Sequence, residues 1–179
     1  MPEISVVVDP RQSRFELLYA RRYRAIYAYV RRRLEADAAD VTADVFAVAW
    51  QRLDDVPDES EELLWLYGVA HHCVARARRS VRRRLRLAAR LAEQTRLQAA
   101  GDDDDSRVLE AIEHLRPADR EVLMLVLWEG LSHAEAALVL DCSVSAVAQR
   151  MHRARGHLRS KLSVEEDGDQ GRRAWTSIS

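Results

Sequence analysis

The stretch from Leu131 to Arg159 holds two runs of helical periodicity divided by three residues, a pattern that admits little other than two helices meeting at a tight corner. The first run opens on Ser132 with Glu135 three residues later, the S-x-x-E spacing at which each side chain bonds the other's backbone N–H. Asp141-Cys142-Ser143 breaks the period, and Ser143 is placed to cap the second run by accepting an amide that otherwise has no partner. Along that second run Val144, Val147, Met151, Ala154 and Leu158 recur at helical spacing and are predicted to face inward. Ser145, Ala146, Gln149, Arg150, His152, Arg153 and Arg155 then lie at the flank or outside. This is the pattern of a helix-turn-helix: small and polar residues in the first turn suit base edges in a major groove, and arginines further along suit phosphates. Two helices of an ordinary bundle with a solvated basic face share the pattern, so the rest of the chain has to decide.

The rest of the chain is helical in pattern too. No strand-like alternation of useful length occurs in the 179 residues. The predicted fold is therefore all-α, with two small helical domains joined by a flexible linker, the C-terminal one ending in the helix-turn-helix. Residues 1–12 read as a mobile N-terminal arm. Within a first domain over 13–98, Phe15, Leu18, Tyr19, Tyr23, Ile26, Tyr27, Val30 and Leu34 mark a long first helix starting at Ser13. A second helix starts between Asp37 and Asp40. The segment from Asp54 to Ser60 is a loop because Pro57 resists a helix interior, and a third helix opens at Leu63 and runs into an arginine-rich block. Residues 99–105, with four consecutive aspartates, form an acidic, extended linker. The second domain covers 106–162 and has Pro117 at a helix start. Residues 163–179 read as a disordered tail.

Composition narrows the classes. No apolar run approaches the ~20 residues that cross a bilayer, and no basic start leads into an apolar core, so a cytoplasmic location without membrane insertion is expected. Cys73 and Cys142 are far apart and lack metal-type spacing, which leaves two buried thiols. The net charge of −1 hides strong segregation: Arg76 to Arg96 holds nine arginines and one acid, whereas Asp54 to Glu62 holds six acids and no base. A basic stripe can bind phosphate while acids elsewhere maintain solubility.

Five stretches carry a resemblance. They are Phe15-Glu16-Leu17-Leu18-Tyr19 with Tyr27-Ala28-Tyr29-Val30; Asp40-Val41-Thr42-Ala43-Asp44-Val45-Phe46 with Ala49-Trp50; Trp65-Leu66-Tyr67-Gly68-Val69-Ala70; Leu115-Arg116-Pro117-Ala118-Asp119-Arg120-Glu121-Val122-Leu123; and the helix-turn-helix. In this order the chain resembles a bacterial sigma factor of the extracytoplasmic-function group, which keeps only the second and fourth conserved regions. The resemblance implies a transcription initiation factor that binds core RNA polymerase and directs it to promoters by their minus-10 and minus-35 elements, without catalysis or a cofactor. It implies polymerase contacts at Asp40, Asp44 and Phe46, with Phe46 also a candidate for the core. It further implies minus-10 and backbone contacts at His71, His72, Arg76, Arg79, Arg82 and Arg83, and minus-35 contacts at Ser145, Ala146, Gln149, Arg150 and Arg153. Members are commonly held inactive by an anti-sigma protein, so a regulatory protein is an expected partner beside core polymerase and promoter DNA. The chain departs from the family at Ala43-Asp44, where Gln-Glu is frequent, at His71-His72, where Arg-Asn is common, and at Ala148, where lysine is frequent. Its loop from Asp54 to Glu62 is also more acidic than the family's, which suits either a penalty on poor promoters or a surface for an inhibitor.

Three other readings compete, one of them a purely structural helical adaptor, which absent or salt-insensitive DNA binding would favour. A helix-turn-helix repressor or activator shares the C-terminal pattern, but has no reason to carry the motifs at Asp40 to Phe46 and Trp65 to Ala70. A metal-sensing or catalytic helical protein would need His71, His72, Cys73, His114 or His133. Consecutive helical residues point about 100° apart, so His71-His72-Cys73 cannot all face one ion, and no nucleophile motif or phosphate loop accompanies them.

Overall fold

The computed structural model describes residues 9–91 and 110–175, with side chains for 9–84 and 110–161. The chain divides into two compact units, residues 1–94 and 95–179. All regular structure among the described residues is helical. The expected linker at 99–105 and residues 1–8 of the expected arm lie outside the described residues.

Helix α1 (Pro10–Arg31) begins three residues before the predicted start. Asp9 caps it, accepting from the Arg11 N–H at 2.9 Å, and Pro10 occupies the first helical position, where its missing N–H costs nothing. Helix α2 (Ala38–Gln51) leads into a 3-10 turn at Leu53–Asp55, and α3 (Glu62–Leu91) follows. The three helices pack pairwise. Tyr29 of α1 and Tyr67 of α3 are buried at the centre with ring centroids 5.2 Å apart, and Ile26, Val45 and Leu66 close around them. Thr42, also buried, satisfies its hydroxyl by donating to the Ala38 carbonyl at 2.7 Å.

In the second unit a short helical stretch at 110–113 precedes α4 (Pro117–Leu127), α5 (His133–Val139) and α6 (Val144–Trp175). The Arg120 guanidinium donates to the carbonyls of Ile112 at 3.0 Å and of Glu113, placing a cation at that stretch's C-terminal end. Val122, Leu125, Ala136, Val139, Val147 and Met151 form an aliphatic core. Ser132 caps α5 with the full reciprocal bonding to Glu135 that the spacing predicts, and Ser143 Oγ accepts from the Ala146 N–H at 3.2 Å. Between the two helices Asp141 takes φ +47°, and the Cys142 N–H reaches back to the Ala137 carbonyl at 3.0 Å, a Schellman closure of α5.

Three expectations need correction. Helix α6 continues to Trp175, through most of the stretch read as a disordered tail, and crosses Gly168 and Gly171 although each weakens a helix interior by about 1 kcal/mol relative to Ala. Val144, placed on the inward stripe, is exposed because the first residue of α6 stands at the rim, one turn ahead of the buried Val147. Cys142 is half-buried rather than buried, whereas Cys73 is buried and both thiols are free.

Candidate functional site

On α6 the first two turns present Val144, Ser145, Ala148, Gln149 and His152 to solvent, above the fully buried Val147 and Met151. Ala146 and Arg150 are half-buried at the edge of that face. The Arg150 guanidinium leans on the corner, 3.7 Å from Cys142 Sγ. Arg153 is held differently: its Nε and Nη2 donate to the two carboxylate oxygens of buried Asp119 on α4, at 3.3 and 2.9 Å. This two-pronged bond raises the guanidinium's already high pKa and locks α6 against α4.

On α3 the residues His72, Arg76, Arg79 and Arg83 follow one another at helical spacing and are all exposed, with Arg82 beside them. His71 is half-buried, its ring centroid 5.7 Å from that of His72. Arg76 is committed to an ion pair with Asp44 of α2 at 2.7 Å. Beneath it, burial pushes the Cys73 thiol pKa up against the opposing pull of Arg76. Among the described residues no His, Cys, Asp or Glu cluster is arranged to hold a metal ion.

On α2 the exposed side is small and acidic: Ala39, Asp40, Ala43, Asp44 and Ala47 stand on one face. Such a face lets another helix approach closely and carries two carboxylates, that of Asp44 already paired with Arg76.

Residues 105–158 match the family described as sigma-70, region 4. Over 147 residues the chain is 31% identical to the RNA polymerase sigma factor CnrH of Cupriavidus metallidurans, covering 74% of this chain and 77% of that protein. It is 35% identical over 126 residues to the ECF RNA polymerase sigma factor SigC of Mycobacterium tuberculosis, covering 68% of each. The chain belongs to the extracytoplasmic-function sigma factors. The solved structure of CnrH in complex with the cytosolic domain of CnrY superposes with a TM-score of 0.59, at 31% identity, over 84% of this chain and 88% of that one. This sigma factor is a transcription initiation factor.

For the sigma factor's candidate contacts the structure makes one correction and adds one internal bond. Phe46, one of the residues offered to polymerase, is only 3% exposed. Its ring is enclosed by Phe15, Tyr19 and Tyr23, with centroids 6.4, 4.7 and 6.1 Å away, so it is a packing residue beneath the surface that Asp40 and Asp44 share. Arg153, expected at DNA, forks onto Asp119 while its side chain stays about half exposed, so the pair also helps to position α6. Spacing alone missed this bond because its partners lie 34 residues apart. The exposure of Val144 beside the sigma factor's predicted reading residues was also missed, although Val144 immediately follows the capping Ser143 and so stands at the helix rim; His152 is exposed as expected.

Proposed function

We propose that this sigma factor docks on core RNA polymerase through the α2 face of Asp40 and Asp44, and reads the minus-35 element with Ser145, Ala146, Gln149 and Arg150. Residues His71, His72, Arg76, Arg79, Arg82 and Arg83, with the loop before α3, engage the minus-10 element and its backbone. One observation carries the reading: the first two turns of α6 are exposed, small and polar, while the same helix is fixed from behind by a buried stripe and by the Arg153–Asp119 fork. That is what insertion into a major groove requires. The basic face of α3 supports the second contact, since phosphate neutralisation supplies most sequence-independent affinity. The protein supplies specificity by binding and carries out no chemistry of its own. It works in the cytoplasm, and among the described residues no helix is long and apolar enough to cross a membrane.

A protein that restrains it belongs to the same reading, supported by the structure of CnrH with the cytosolic domain of CnrY. Run-off transcription with purified core polymerase on fragmented genomic DNA, with transcript starts sequenced, tests the proposal. Starts that depend on the protein and share two upstream elements support it. Salt-sensitive DNA binding without such starts would favour a repressor or activator.

A further inference from the structure

Four arginines of α1 face the acidic loop that separates α2 from α3. Arg11, Arg14, Arg21 and Arg22 lie on one side of the helix with Leu18 between them. Arg11 donates to Asp54 Oδ2 at 2.8 Å and to the Trp50 carbonyl at 3.1 Å. The Arg14 guanidinium donates to the Val56 carbonyl at 2.7 Å. Arg22 donates to the Glu59 carbonyl at 2.9 Å and to Glu62 Oε1 at 2.6 Å. Arg21 forks onto the Glu62 carboxylate, both bonds 3.2 Å, and stands 3.5 Å from Glu59. The Glu62 side chain is buried between the two arginines, and its bonds raise the pKa of Arg21 further.

Three of these bonds end on backbone carbonyls, at Trp50, Val56 and Glu59, so what they fix is the path of the chain. Packing fixes it less. Leu53 and Val56 anchor the start of the loop, but a cavity of about 140 Å³ lies under Val56, Pro57, Asp58 and Glu59, bordered by Leu18, Arg14 and Arg21. The same guanidinium groups neutralise acids that would otherwise repel a phosphate backbone.

We infer that Arg11, Arg14, Arg21 and Arg22 are positioning residues for promoter choice, holding the loop of residues 53–61 in the one shape that admits its minus-10 sequences. The inference rests on the proposed engagement of that loop with minus-10 DNA. The arginines act through the loop and touch no base.

The test uses the full chain with core polymerase on matched promoters that differ only at minus-10. Arg14→Ala removes one tie to the backbone and leaves the buried Glu62 with both its partners, so the unit keeps its fold. Its affinity for core polymerase stays within about two-fold, while discrimination between minus-10 variants falls roughly ten-fold, the worth of one charge-assisted hydrogen bond. Arg14→Lys, which can still donate to the Val56 carbonyl, restores much of the discrimination. Pro57→Gly, which loosens the loop itself, reports on the underlying reading. If Pro57→Gly changes discrimination and Arg14→Ala does not, the positioning role is overturned and the loop contact stands. If neither changes it, the loop is not at minus-10 DNA and both fall. A loss of core affinity in Arg14→Ala equal to its loss of transcription also overturns the inference, because the effect would then be general.

Discussion

The two units present a basic helix by different means. In the first, α3 and the loop before it are held by partners 32 to 40 residues away in sequence, through ring contacts and arginine–carboxylate bonds: Tyr29 with Tyr67, Arg22 with Glu62, Asp44 with Arg76. In the second, α5 and α6 are set by neighbours, through the Ser132–Glu135 box, the Ser143 cap and the Asp141 corner, over an aliphatic core. The Arg153–Asp119 fork spans a longer distance there. The difference teaches that a reading surface can be aimed by charge or by local geometry, and that the first kind responds to salt whereas the second does not.

The largest effect that can break this comparison lies in the first core. Leu66→Ala, at a position with no exposed surface, is expected to cost about 2–5 kcal/mol in urea denaturation. A cost below 1 kcal/mol would mean that ion pairs rather than packing carry that unit. Next comes the basic face of α3: Arg79→Ala, Arg82→Ala and Arg83→Ala together lower DNA affinity and flatten the salt slope by up to about three phosphate contacts. Titrations from low to high salt check this, and an unchanged slope would remove these arginines from the backbone. In the second unit Ser132→Ala is expected to cost about 1 kcal/mol by loss of the cap. Its cost should change little between low and high salt, which sharpens the contrast. The smallest effect is a pH dependence. The Ser132 hydroxyl and backbone N–H hold the Glu135 carboxyl below the ordinary glutamate pKa, so its contribution is present above that ordinary value and is lost as pH falls through the lowered one. Glu135→Gln keeps a capping amide but cannot titrate, so its melting temperature falls less on acidification than that of the unchanged chain.

Legibility follows the same divide. The helix-turn-helix was readable because each of its signals, Ser132 with Glu135, the break at Asp141-Cys142-Ser143 and the stripe to Met151, lies within a few residues of its partner. The helices of the first unit were readable from their stripes, apart from the start of α1, where Asp9-Pro10 was a stronger signal than Ser13. The arginine bonds to the loop were not readable. Nothing in the sequence tells which of many arginines reaches Val56 or Glu62, because the choice depends on how α1 lies beside the loop. For the same reason Phe46 looked available until the packing around it was known, and the bond of Arg153 to Asp119 was out of sight. A side chain that fits a surface role by type can be claimed by an internal partner of opposite charge or similar shape.

Asp141 has a consequence for how this protein could be altered. A side chain at φ +47° costs roughly 1 kcal/mol or more, less for Asp than for bulkier residues, and glycine removes that cost while widening the freedom of the unfolded chain. The corner between α5 and α6 thus turns through a solvent-facing residue that belongs to neither helix. Exchanges at this corner can tilt the recognition helix by degrees while leaving every chemical group on its outer face as it was. If α6 reads the minus-35 element as proposed, promoter preference has there an adjustment separate from the alphabet of contacting side chains.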